Sequence, residues 1–171
     1  MSDLESSALV SFYRSTGRDD RGRTLDEILA WDDRALEGVH DYIQWLFPLD
    51  QRSAFNAGAP LVSASERGAF RNDERLRAGL KRALVRMLAF YGLRIAGDRI
   101  ERAKNWPERS RVWLTPYNHN YLRLTRIIRS LALLGEPELA RALRTALIVE
   151  YERAPGVIGE TTLRFWKAAG D

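Results

Sequence analysis

His40-Asp-Tyr-Ile-Gln-Trp-Leu-Phe-Pro48 is the segment that decides the fold. It places three aromatic residues around a Gln and a His, and its final proline disfavours helical backbone in the residue before it. Apolar residues at positions 36, 39, 43, 46 and 47 recur at helical spacing and form one face. We therefore expect a single helix from about Asp33 to Leu46, with His40 at the edge of the apolar face beside Gln44.

The other sides of this expected helix are also aromatic or apolar, since Tyr42 and Trp45 project away from the main face. A helix of this kind is normally buried or lies at an interface. One interpretation makes His40, Tyr42 and Trp45 part of the core, with their polar atoms satisfied internally. The alternative is a helix that lines a pocket for a small apolar or aromatic ligand. The candidate ligand contacts are then His40, Tyr42, Gln44 and Trp45.

A second segment, Trp113-Leu-Thr-Pro-Tyr-Asn-His-Asn-Tyr-Leu-Arg-Leu-Thr-Arg126, carries a pattern of cations. His119, Arg123 and Arg126 share one helical stripe, and Arg129 extends it. Guanidinium groups bind carboxylates and phosphates well, which predicts a site for an acidic ligand. Asn118, near the helix start, is expected to cap the helix or to add hydrogen bonds to that ligand. The structural alternative is an ion-pair network with some of the 23 acidic residues.

Together the two segments resemble the opioid growth factor receptor family, with the resemblance strongest over residues 12–135. Phe90-Tyr91-Gly92 and the pair Trp106 and Arg109 add to it. The resemblance implies a receptor-like, signalling domain that binds a Tyr-first pentapeptide, unlike the seven-helix opioid receptors. Animal members of the family associate with the nucleus and with its outer membrane face. The long acidic, repeat-containing tail of those members has no counterpart in this sequence.

Composition sets further limits on the class of protein. A chain of 171 residues with 45% hydrophobic content predicts one globular domain over residues 1–171. No run of 18 apolar residues and no export signal is present, so we expect a cytoplasmic protein. The sequence has no Cys and two His, and we expect no metal and no cofactor. Arg outnumbers Lys by 24 to 3, which is typical of a GC-rich bacterial genome.

The local patterns predict an all-α, compact bundle of seven or eight helices with one small β-hairpin near 93–102. Capping boxes begin helices at Ser2 and Thr24, and Ser63 or Ser65 caps another. The clearest apolar stripe covers 72–91, and Gly97 marks the tip of the hairpin. Further helices are expected at 106–114, 118–134, 136–153 and 160–169.

Three functions fit these observations. The first is non-catalytic binding of a peptide or small acidic ligand. The second is a protein-interaction or scaffold domain whose Arg-rich surface meets an acidic protein partner. The third is an enzyme with His40 and His119 as acid and base. The third is disfavoured because no phosphate-binding loop, nucleophile elbow or zinc-protease helix is present. No nucleic-acid-binding motif is present either.

Overall fold

The computed structural model describes residues 7–54 and 56–170. The capping box predicted at Ser2 lies outside these residues. The chain divides into two compact units, residues 1–83 and 84–171. The expected single domain stays a prediction, and the two units are considered in turn.

The first unit is built from short helices. They are α1 (Ala8–Tyr13), α2 (Leu25–Leu29), α3 (Asp33–Gly38), α4 (Ile43–Leu46) and α5 (Ala64–Asn72), followed by α6 (Glu74–Tyr91), which continues into the second unit. The capping box at Thr24 is confirmed, and a second one at Ser63 begins α5. In both boxes the cap hydroxyl accepts a hydrogen bond from the backbone N–H of a Glu three residues later. The carboxylate of that Glu accepts one from the backbone N–H of the cap residue, and the two bonds stabilise the first helical turn.

The single helix expected from Asp33 to Leu46 was wrong, because this segment forms α3 and α4 with a break between them. Helix α3 ends at Gly38, whose helix propensity is low, and Val39 is extended with ψ 136°. The hydroxyl of Tyr42 donates a 2.8 Å hydrogen bond to the carbonyl of Leu36 and so satisfies the last turn of α3. His40 therefore lies in a loop and not on a helix.

Aromatic rings hold the first unit together. The ring of Phe12 meets Trp45 edge-on at 5.3 Å between centroids, and that of Tyr13 meets Phe70 at 4.8 Å. The hydroxyl of Tyr13 donates to the carbonyl of Leu46, and burial raises the pKa of this phenol above its ordinary value. This bond attaches α1 to the end of α4. Helix α4 is therefore held to α1 both through the ring of Trp45 and through the backbone of Leu46.

The second unit begins with the C-terminal part of α6 and a β-hairpin. The hairpin pairs β1 (Leu93–Ala96) with β2 (Arg99–Arg102) in antiparallel register, with Gly97 at φ 63° in the turn. Then follow α7 (Trp106–Trp113), α8 (Asn120–Leu133), α9 (Pro137–Arg153) and α10 (Glu160–Ala168). The mostly helical class and the hairpin are confirmed. The described residues form ten helices, so the expected seven or eight was too low.

The end of α6 is fastened to α7 by a row of side-chain donors. Asn105, Arg109 and Trp113 follow one another at intervals of four residues, which puts them on one side of α7. They donate to three consecutive carbonyls, at positions 89, 90 and 91, over 2.9, 2.6 and 3.0 Å. Gly92 then leaves the helix at φ 77°. The last carbonyls of α6, which have no partner within the helix, are thus satisfied by α7.

Helices α8, α9 and α10 pack on one another in the second unit. The arc of α8 expected to face the core is buried, as predicted. Its members are Leu124, Ile127, Ile128, Leu131 and, just beyond the helix, Leu134. Trp166 of α10 is fully buried, and its ring meets that of Tyr121 edge-on at 5.8 Å. This packing fixes the orientation of α8 and therefore of its arginines.

Candidate functional site

The aromatic segment is almost entirely interior. Eight consecutive residues, 42–49, are buried, whereas His40 is exposed. The ring of Tyr42 lies 5.5 Å from that of Trp31 in an edge-on arrangement. The expected placement of His40 beside Gln44 on one helical face is incorrect, because the backbone between them is not helical. Of the four candidate contacts in this segment, only His40 is presented at the surface.

Two buried polar atoms in α4 lack hydrogen bonds within the described residues. They are Oε1 of Gln44 and Nε1 of Trp45, whose side chains belong to residues only 5% exposed. Buried polar groups are normally paired, and an unpaired one costs about 1–3 kcal/mol. The core interpretation therefore holds for Tyr42, whose hydroxyl is bonded. It is wrong for His40, which is exposed, and its expectation of internal satisfaction is wrong for Nε1 of Trp45.

A cluster of charges lies in the loops of the first unit, and sequence reasoning did not identify it. Nε of Arg23 lies 2.6 Å from a carboxylate oxygen of Asp19, and its Nη1 lies 2.8 Å from one of Asp41. The guanidinium also stands 5.3 Å from the centre of the Trp31 ring. Burial lowers the pKa of Arg23, but the bonds to both carboxylates outweigh it and raise the pKa overall. This cluster fixes loops, and its only sequence signal was the charged stretch 18–23.

The turn before α8 is held by Asn118. Its amide nitrogen donates to the carbonyl of Val112 and to the hydroxyl of Thr115, each over 3.0 Å. Its amide oxygen accepts from the backbone and side-chain nitrogens of Asn120, also at 3.0 Å. All four bonds are internal, so Asn118 shapes the turn. Tyr117 beside it is fully exposed and has a left-handed backbone, with φ 57°.

We call Arg123, Arg126 and Arg129 the α8 arginine cluster. His119 is exposed at the start of the helix, whereas Arg123 is 5% exposed and the other two arginines are half-buried. Nη1 of Arg123 lies 3.4 Å from Oδ1 of Asn120, which also accepts from the hydroxyl of Tyr91 at 3.3 Å. Burial, and secondarily the charge of Arg129, lower the pKa of Arg126 to about 10. The predicted stripe thus runs from the surface into the interior.

The second unit also contains a cavity that the sequence did not predict. We call it the β2–α9 groove; it has a volume of about 730 Å³ and is lined by the hairpin and by one face of α9. Buried Glu150 lies on it and binds Nη2 of Arg102 at 2.6 Å and Nη1 of Arg153 at 3.2 Å. The guanidinium of Arg102 also stacks 4.4 Å over the ring of Trp106. No local motif marks this groove, because its two walls are far apart in sequence.

A smaller cleft of about 560 Å³ lies between the turn before α8 and the start of α10. Three tyrosines contribute to its wall, namely Tyr117, Tyr121 and Tyr151. The hydroxyl of Tyr121 donates to the carbonyl of Thr115 at 2.7 Å, and burial raises the pKa of this phenol to about 12. The three tyrosine rings give the cleft an aromatic surface.

Two features are absent from the described part of the chain. No three His, Asp or Glu side chains there are grouped to hold a metal ion. No helix there has the length and apolar composition needed to cross a membrane.

The sequence comparisons identify the class of protein. The chain belongs to the opioid growth factor receptor conserved-region family, whose model matches residues 5–161. The human opioid growth factor receptor is 39% identical to it over 134 residues, which is 74% of this chain and 19% of the human protein. The mouse opioid growth factor receptor-like protein 1 is 37% identical over 119 residues, or 67% of this chain and 25% of the mouse protein. No solved structure matches the chain.

These relatives bear on several of the expectations. They are named receptors or receptor-like proteins, and the chain spans about a fifth of the length of the receptors it matches. The family assignment is confirmed. The relatives found are animal proteins and give no support to the expected bacterial source.

Proposed function

We propose that this chain is a non-catalytic binding domain that accepts the carboxylate of a peptide or small acidic ligand at the α8 arginine cluster. One observation carries the proposal: Arg126 and Arg129 are both half-buried and lie one helical turn apart on α8, and burial together with the charge of Arg129 lowers the pKa of Arg126. A bound carboxylate offsets both effects, because an opposite charge nearby favours the charged form of a buried group. Two guanidinium groups one helical turn apart also suit bidentate binding of a carboxylate.

A peptide is the ligand class that fits the family best. The relatives are named as receptors for a growth factor, and the family resemblance implies a Tyr-first pentapeptide. The free C-terminus of such a peptide supplies the carboxylate. A cytoplasmic location and a signalling role belong to the same proposal.

The other candidate residues differ in their access to a ligand. His119 is exposed at the start of α8 and stands at the outer end of the cluster. Asn118 contributes indirectly, because its amide is engaged in the turn that positions α8. The candidates of the aromatic segment form a separate contact set, and we retain them as a proposal: His40, Tyr42, Gln44 and Trp45.

Calorimetric titration of a Tyr-first pentapeptide tests the proposal. Arg126→Gln and Arg129→Gln are each expected to weaken binding by about tenfold or more, since a hydrogen bond to a charged group contributes about 1.5–3 kcal/mol. Arg126→Lys keeps the charge without the planar fork and should fall between wild type and Arg126→Gln. Arg111→Gln removes one exposed charge on α7 and serves as the matched control.

Arg111→Gln should bind the peptide as the wild type does. Equal affinities for the wild type and both α8 variants would remove the cluster as the binding site. A wild-type protein that gives no heat of binding would remove the peptide as its ligand. Circular dichroism of each variant establishes that it is folded, so a loss of binding reports on the site.

A further inference from the structure

The β2–α9 groove has a wall that is apolar in its middle and charged at its ends. On α9 the middle is formed by Ala142, Ala146 and Val149, which recur at helical spacing, with the hydroxyl-bearing Thr145 beside them. Glu138 and Arg141 pair at one end of this helix face, at 3.0 Å. Glu150 and Arg153 pair at the other. The ten residues from 141 to 150 cover about 14 Å of helix, which is the length of about four extended residues.

The opposite wall offers an unpaired strand edge. The backbone N–H of Ala103 donates to the carbonyl of Gly92 at 2.8 Å, which fixes the alternation of the ladder. By that alternation, Ile100 opposite Ile95 and Arg102 opposite Leu93 form non-hydrogen-bonded pairs. Ile100 and Arg102 therefore direct their backbone N–H and C=O groups away from β1. Within residues 7–54 and 56–170, these groups have no hydrogen bond to a segment outside the hairpin. An extended chain beside β2 would satisfy them.

The charges at one end of the groove favour an acidic occupant. Arg102 and Arg153 share the single carboxylate of Glu150, which leaves one positive charge uncompensated among these three residues. The pairs Arg141–Glu138 and Arg99–Asp98 elsewhere on the lining are balanced, and the remaining acid of the lining, Glu101, is paired with Arg94 of β1. Both arginines of the shared group are about half exposed, at 41% and 56% of their side chains. They are therefore accessible to an incoming carboxylate.

We propose that the β2–α9 groove is a docking site for an extended acidic segment of a partner protein, whose backbone pairs with the outer edge of β2. Apolar side chains of that segment lie against Ala142, Ala146 and Val149, and an acidic side chain meets Arg153. The volume of about 730 Å³ is within the range of sites that hold a short peptide or small ligand. The site shares no residue with the α8 arginine cluster, so it is a second interaction surface of the same unit.

The test is an NMR titration of the full ¹⁵N-labelled chain with a blocked probe peptide, acetyl-Thr-Val-Thr-Val-Glu-Gly-amide. Blocked ends remove the terminal carboxylate that the α8 cluster is proposed to bind. Shifts are expected for the backbone amides of residues 100–102 and 142–153. Two further probes isolate the two contacts: one with Gln in place of Glu, and one N-methylated at alternate residues, which removes backbone donors.

We expect the Gln probe to bind about fivefold more weakly and the N-methylated probe to lose binding, since strand addition depends on main-chain hydrogen bonds. In the protein, Arg153→Gln at the rim should reproduce the weakening seen with the Gln probe. Ala146→Glu should abolish binding by filling the groove. Arg164→Gln, an exposed charge on α10, is the control and should bind as the wild type does.

Absence of shifts at the groove at millimolar probe would overturn the proposal. Equal binding of the N-methylated probe would also overturn it, because the contact would then not be strand pairing. Arg126→Gln should leave the probe's affinity unchanged. The failure of one proposal is therefore distinguishable from the failure of the other.

Discussion

Gly92→Ala tests the close contact that fastens the end of α6 to α7. Gly92 has φ 77°, and a Cβ added there would lie 2.8 Å from the Cα of Trp106 and 3.0 Å from the Cβ of Arg109. The left-handed backbone costs about 1–2 kcal/mol for a residue with a side chain. Overpacking against backbone adds about 1–3 kcal/mol. The free energy of unfolding should therefore fall by about 2–5 kcal/mol.

Gly97→Ala is the matched control, because Gly97 has φ 63° but no atom within 4 Å of the added Cβ. It incurs only the backbone cost of about 1–2 kcal/mol. Urea denaturation followed by circular dichroism gives both values, with the slopes compared to establish that the unfolded states are alike. A Gly92→Ala variant as stable as Gly97→Ala would refute the reasoning, since steric contact at Trp106 is the main difference between the two sites.

Three further predictions concern single side chains. Asn118→Ala should lower the free energy of unfolding by about 2–4 kcal/mol, because four hydrogen bonds are lost, whereas Asn72→Ala at the exposed end of α5 should change it little. Gln44→Met should raise stability by up to about 1 kcal/mol, because it removes an unpaired buried oxygen; a clear loss in urea denaturation would contradict this. The hydrogen bond from Arg14 is the main reason that the pKa of Asp73 lies below its ordinary value of 3.8. The stabilisation from this pair is therefore complete above pH 3.8 and is lost as pH falls through the lower, folded-state pKa; Arg14→Gln should raise that pKa towards 3.8 in a carboxyl NMR titration, and an unchanged pKa would contradict the assignment.

The sequence predicts those elements whose determinants are local. The cap at Thr24 needs only Glu27 three residues later, and the hairpin needs only two short runs around Gly97. The apolar stripe of α6 is a periodic pattern within one helix. The residues of that stripe, the first of which is Leu76 and the last Tyr91, are buried as expected. In each case the deciding residues lie within one or a few turns of each other, so no tertiary information is required.

The break between α3 and α4 escaped prediction for a tertiary reason. Apolar residues recur at helical spacing through 36–47, and this pattern is compatible with one continuous helix. The structure stops α3 at Gly38 instead, and the hydroxyl of Tyr42 satisfies a carbonyl of its last turn, that of Leu36. Spacing alone does not show whether a side chain will replace the next backbone donor.

The depth of the candidate site was also beyond the sequence pattern. Helical spacing correctly put Arg123 and Arg126 on neighbouring positions of α8, but it did not show that Arg123 is buried. That burial is a tertiary property: Asn120, which Arg123 contacts, also accepts a hydrogen bond from Tyr91 at the end of α6. The β2–α9 groove is a stronger case, since its arginines and acids look like ordinary surface residues until the hairpin and α9 are placed together.

The central claim is that the α8 arginine cluster binds the carboxylate of a peptide. The most direct measurement compares the calorimetric affinities of the unaltered protein for one Tyr-first pentapeptide with a free C-terminus and with an amidated C-terminus. Binding through Arg126 and Arg129 predicts that amidation weakens the affinity by about tenfold or more, because charge-assisted hydrogen bonds are lost. Equal affinities for the two peptides would contradict the account.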